Sequence, residues 1–82
     1  MESYYRLQYE ALKLIDDGKV SEAQQYLLKK VHKQDTNALA IIGFLYFYGV
    51  GLEKDEEKGK KLLQEAIQKD NRIAADFMKN ID

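Results

Sequence analysis

The sequence predicts an all-α fold: two antiparallel helix hairpins followed by a C-terminal capping helix, a short α-solenoid. Three observations predict it. Proline is absent from the 82 residues, so no position is barred from a helix interior. Apolar residues recur at three- and four-residue spacing along most of the chain, the period of an amphipathic helix. Glycines and short polar groups interrupt that pattern at intervals that suit helix ends.

The first helix is expected over Ser3 to Ile15, with Ser3 as its N-cap. Tyr4, Leu7, Ala11 and Leu14 form one apolar stripe, and Tyr5, Tyr9 and Leu12 a second. Two stripes on one helix imply two contacts. Asp16-Asp17-Gly18 ends it, with Gly18 suited to the left-handed residue beyond a helix terminus. The second helix is expected to begin at Ser21, where Ser21 and Gln24 have the spacing of a capping box. Ala23, Tyr26, Leu27 and Val31 line its buried face. Lys29, Lys30 and Lys33 crowd its last turn, where positive charge suits the helix dipole.

The third helix, Asn37 to Tyr48, is capped by Asp35 or Thr36. Its run from Ala38 to Leu52 carries no charge. The run is shorter than the ~20 residues a membrane span needs, so the reading is a central helix touched on most sides. Gly43 in its middle costs roughly 1 kcal/mol against alanine, which points to close approach of another helix. Ala66 is the expected neighbour. The loop from Gly49 to Lys54 reverses the chain, with Leu52 tucked beneath it. Asp55 is the N-cap of the fourth helix, and Glu56 and Glu57 suit its first turn. Gly59, Leu62, Leu63, Ala66 and Ile67 fall on one face, and Lys58, Lys60, Lys61, Glu65 and Lys69 on the other. Asp70 or Asn71 caps a last helix to about Asn80, in which Ile73, Ala74, Phe77 and Ile81 cover the preceding helices.

A shift of about 32 residues places Ala11 on Gly43, Leu12 on Phe44 and Leu14 on Tyr46. A shift of about 36 places Ala23 on Gly59 and Leu27 on Leu63. Repeated helical hairpins of this period signal a solenoid. Ala38, Ile42-Gly43, Tyr46, Gly49-Val50-Gly51, Asp55 and Ala66 together resemble one Sel-one-like repeat, a relative of the tetratricopeptide repeat. Gly59 departs from that pattern, which usually has alanine there. Residues 4–35 resemble a degenerate tetratricopeptide unit through Leu7, Ala11, Ala23 and Leu27, with Lys30 in place of a small residue. The domain division is thus a single domain over 1–82, with units at 4–35 and 37–70 and a capping helix at 71–81. The resemblance implies a right-handed stack of helix pairs that binds proteins or peptides.

Composition narrows the function classes. With 13 basic and 14 acidic residues the net charge is −1, without the basic excess of a dedicated nucleic-acid binder. No cysteine is present, which excludes disulfides and thiolate chemistry and favours a reducing, cytoplasmic setting. MESYYRLQYE shows no apolar leader segment. His32, the single histidine, stands among Lys29, Lys30 and Lys33 with no partner suited to catalysis. Glu53, Asp55, Glu56 and Glu57 lack the alternating oxygen spacing of a calcium loop. Gly49-Val50-Gly51 has neither the strand nor the Lys-Ser pair of a phosphate loop. No enzyme, no cofactor and no metal is therefore expected.

The function expected is binding of another protein or a peptide, including the narrower reading of a small inhibitor or immunity-type protein. The alternative is a nucleic-acid-associated regulator using the lysines of the second and fourth helices. Under the repeat shift, Tyr5, Gln8, Leu12 and Ile15 correspond to Asn37, Ala40, Phe44 and Phe47, and Tyr48 lies one turn beyond Phe44. In arrays of the resembled kind, the first helix of each pair lines the concave face. The expected partner-binding set is Tyr5, Gln8, Leu12, Ile15, Asn37, Phe44, Phe47 and Tyr48. The competing readings of the same side chains are a thin core and a homodimer seam.

Overall fold

A computed structural model describes residues 3–81. Among them the chain forms five helices and no strand: α1 (Tyr4–Asp16), α2 (Val20–His32), α3 (Thr36–Tyr48), α4 (Glu56–Gln68) and α5 (Arg72–Ile81). Each of the first four helices has 13 residues. From Tyr4 to Thr36 the start of α1 maps to that of α3 at a shift of 32. From Val20 to Glu56, α2 maps to α4 at 36. The longer shift reflects the loop between α3 and α4. Each helix packs on the next in sequence, and α3 also touches α1 and α5. Short connections make sequential neighbours antiparallel, so α1, α3 and α5 run the same way.

Helix α3 is the centre of the fold. Ala38, Leu39, Ala40, Ile41, Gly43 and Leu45 are all buried, because α1, α2, α4 and α5 surround it. One core cluster joins Leu7, Ala11 and Leu27 to Ala38, Ile41 and Leu45. A second joins Leu39 and Ala40 to Leu63, Ala66 and Ala74. α3 therefore feeds both cores from opposite sides, which explains why its sequence has no polar face.

The helix ends follow one scheme. Four helices close with a residue at positive φ: Gly18 after α1, Gln34 after α2, Gly49 after α3 and Asp70 after α4. In each case the next amide bonds back five residues, from Lys19 to Leu14, Asp35 to Lys30, Val50 to Leu45 and Asn71 to Ala66. This Schellman closure satisfies carbonyls the helix leaves open. At the turns after α2 and α4 the residue that donates this amide then caps the following helix. Asp35 accepts the Asn37 amide at 3.0 Å, and Asn71 accepts the Ala74 amide at 2.9 Å.

The first turn differs, and it corrects the capping box expected at Ser21. The closure at Gly18 leads straight into α2, which begins at Val20 with Lys19 in the cap position and no side-chain cap. Ser21 is an exposed residue inside the helix. The other expected caps, Ser3 and Asp55, do accept backbone amides, from Arg6 and Lys58.

Gly43 is also placed differently from expectation. Its neighbours are Leu63 and Gly59, while Ala66 packs in the cluster with Leu39 and Ala40. The register follows from the loop. The Asp55 amide donates to the Tyr46 carbonyl at 2.8 Å, so α4 starts beside the last turn of α3. Gly49 makes the reversal possible: its φ is 71°, and a Cβ there would lie 2.8 Å from Lys54 Cβ.

Candidate functional site: an apolar groove along α1, α3 and α5

The parallel helices α1, α3 and α5 leave a groove of about 290 Å³ between them. Tyr4, Gln8 and Leu12 form one wall, at i, i+4 and i+8 along α1. Ile41, Phe44, Leu45 and Tyr48 form the floor from α3, Val50 closes one end, and Phe77 stands on the far side. Among the described residues, no charged side chain lines it.

Its walls are held by aromatic edge contacts. Tyr4 meets Phe44 edge-on, with ring centroids 6.2 Å apart. Phe77 is the hub of the rest, touching Phe44 at 4.8 Å, Phe47 at 5.3 Å and Tyr48 at 5.9 Å. Such edge-to-face pairs are favoured by the ring quadrupole and fix the rings against each other. Phe77 reaches them because α5 folds back beside α3. Asn71, 5% exposed, makes that fold-back specific: its Nδ2 donates to Thr36 Oγ1 at 3.0 Å and Asn37 Oδ1 at 2.9 Å. Tyr48 stays 58% exposed at the open side. Burial pushes the Tyr4 phenol above its ordinary value of 10.0, and neighbouring Tyr5 adds to the shift. Tyr4 is thus a neutral hydroxyl at physiological pH.

Half of the residues expected from the sequence meet here. Gln8, Leu12, Phe44 and Tyr48 line the groove. Tyr5 does not: it is 78% exposed, its ring edge-on to Tyr4 on the outside of α1. Ile15 packs on the first core cluster and against Gly51. Asn37 serves the hydrogen bond to Asn71. Phe47 wedges between Phe77, Tyr48 and the backbone face of Gly59. Tyr4, Ile41, Leu45, Val50 and Phe77 complete the lining without having been expected. Tyr4 carried the spacing of a buried stripe and Phe77 that of a covering helix. Both roles are true of one side of each ring, and helical spacing does not report the other side.

Among the described residues, no group of three His, Cys, Asp or Glu side chains is placed to hold a metal ion. Among the same residues, no helix is long and apolar enough to cross a membrane. In comparisons with known proteins, the chain matches no family model, no curated protein and no solved structure.

Proposed function

We propose that the chain is a non-enzymatic binding module whose groove takes a segment of another protein or a peptide. The observation that carries this reading is the alignment of α1, α3 and α5 around a trough lined, among the described residues, by no charged side chain, with Tyr48 exposed at its open side and Val50 at one end. Rigid aromatic rings over an apolar floor are the chemistry of interface anchors, and a trough along parallel helices suits a helix or strand laid into it. The 32- and 36-residue periods support reading the chain as a short array of the Sel-one-like and tetratricopeptide kind, and the absence of cysteine favours a reducing, cytoplasmic setting. The nucleic-acid alternative is weaker, because Lys30 of the second helix lies over the Tyr26 ring, Lys58 of the fourth lies over the Tyr46 ring and Lys69 at its end pairs with Glu65.

The test uses a displayed library of random peptides about 14 residues long, roughly 21 Å as a helix. Peptides recovered on the chain are expected to lose most of their affinity for Tyr48→Ala, while the melting temperature of that variant stays close to the parent's. Peptides that bind the variant as well as the parent would place the binding surface elsewhere.

A further inference from the structure

The layer formed by α1, α3 and α5 has two unlike edges. Both α1 and α5 border α3, and among the described residues they do not pack on each other. The α5 edge is polar: Arg72, Asp76, Lys79 and Asn80 are exposed, and no large apolar side chain described on α4 or α5 is. The α1 edge is aromatic. Tyr5 is 78% exposed and Tyr9 63%, one turn apart. Leu7 and Ala11, two residues before and after Tyr9, are buried. Two residues along a helix is a rotation of roughly 200°, so Tyr9 stands on the side of α1 turned away from the core. Tyr5 stands one turn before it on the same side, and neither ring lines the groove. Exposed charges of both signs border this ridge, Arg6 and Lys13 with Asp16 and Asp17. The edge therefore presents no single-sign field that would hold two copies of it apart.

We infer that this ridge is the seam of a homodimer, with α1 laid beside α1 of a second copy. An isologous contact sets one patch against itself, and the Tyr5–Tyr9 ridge is the edge of the layer that has apolar surface to cover. A head-to-tail contact would set the same rings against the charged α5 edge, so the pairing closes at two copies. The area suits a weak dimer. A covered aromatic ring hides about 150–250 Å², so two partly exposed tyrosines from each copy supply roughly 400–700 Å². The stems of Arg6 and Lys13 and the outer side of Leu12 bring the total to about 1,000 Å², the lower bound of a specific interface. Such a dimer comes apart on dilution. A two-fold axis normal to the layer runs the two α1 helices antiparallel, as their dipoles favour. It turns both grooves to one face and leaves both open.

Light scattering and sedimentation of the chain from about 5 μM to about 1 mM test this, a range that spans the affinity of a small interface. The parent is expected to pass from monomer to dimer within it. Tyr5→Gln/Tyr9→Gln, which keeps good helix formers at both positions, is expected to move that midpoint at least about ten-fold upward. The melting temperature of the variant in dilute solution is expected to stay close to the parent's, because neither ring is in the core. Tyr9→Lys leaves the Tyr4–Tyr5 ring contact in place and reads the same seam should the double variant lose helical signal. A parent that stays monomeric to about 1 mM, or a midpoint that moves less than about threefold in these variants, overturns the inference. So does a mass that keeps growing beyond two copies. A dimer that Tyr48→Ala dissociates puts the seam in the groove, and the inference and the binding reading fall together. In every other outcome the peptide test of the groove stands by itself, since Tyr5 and Tyr9 lie outside it.

Discussion

Gly43 and Gly59 face each other across the α3–α4 contact with no side chain between the two backbones. A Cβ on Gly59 would lie 2.7 Å from the Gly43 carbonyl oxygen and 2.7 Å from the Phe47 amide nitrogen. A Cβ on Gly43 would lie 2.9 Å from Leu63 Cγ and 3.1 Å from the Gly59 carbonyl oxygen. Helices this close shield each other's backbone from water and bring Phe47 over Gly59. The contact explains why a glycine stands at position 59.

The first prediction follows from that pair. Alanine gains roughly 1 kcal/mol over glycine in a helix interior, so an unhindered Gly59→Ala would stabilise. Here the obstruction is backbone, which yields only by moving the helices apart, so a net loss of about 1–3 kcal/mol is expected. Gly43→Ala meets a flexible leucine first and is expected to lose less. Urea denaturation of both variants checks the order. A Gly59→Ala chain more stable than the parent would show that the helices part easily.

Asp55 is expected to act as a cap and nothing more. Its Oδ1 accepts the Lys58 amide at 3.0 Å, and its own amide is held by Tyr46. Asp55→Ala should cost about 0.5–2 kcal/mol and Asp55→Asn much less, because the amide oxygen accepts the same bond. Equal losses for the two substitutions in thermal unfolding would point to a role that needs the charge.

Gln34 offers a stabilising change. It holds a φ of 66°, a conformation costing a side-chain-bearing residue about 1–2 kcal/mol. Gln34→Gly removes that cost, with part of the gain returned to the more flexible unfolded chain. A net gain of about 0.5–1 kcal/mol is expected. A melting temperature at or below the parent's would show that Gln34 contributes contacts that outweigh its strain.

Asn71 separates capping from tethering. Aspartate caps helices as well as asparagine does, so a residue that only capped would tolerate Asn71→Asp. Asn71 also donates to Thr36 and Asn37, and an aspartate would turn an acceptor oxygen on the Asn37 oxygen within a buried site. The expected cost is about 2–3 kcal/mol, from lost donors and a desolvated charge. Near-parent stability in chemical denaturation would mean that α5 is held by its apolar face alone.

Much of the fold was legible in the residues because its signals are local. Helix spans depend on spacing within a few residues. The caps at Ser3 and Asp55, the closures at Gly18 and Gly49 and the central position of α3 all follow from the identity of the residues at hand. Ser21 misled for a related reason: its pattern is that of a cap, but the closure at Gly18 had already started the helix one residue earlier. What the sequence by itself determined was the set of helices and, the start of α2 apart, the residues that end and cap them. The tertiary structure alone decided that Gly43 meets Gly59 and not Ala66, since the register depends on where the loop sets down α4. It alone decided that Phe77 and Tyr4 join the groove while Tyr5 and Phe47 do not. A ring on a helix has two sides, and which side stays open depends on how closely the neighbouring helices approach. The approach of α4 to α3 depends on Gly43 meeting Gly59 and the placement of α5 on Asn71 meeting Thr36 and Asn37, partners far apart in the chain that no local pattern records.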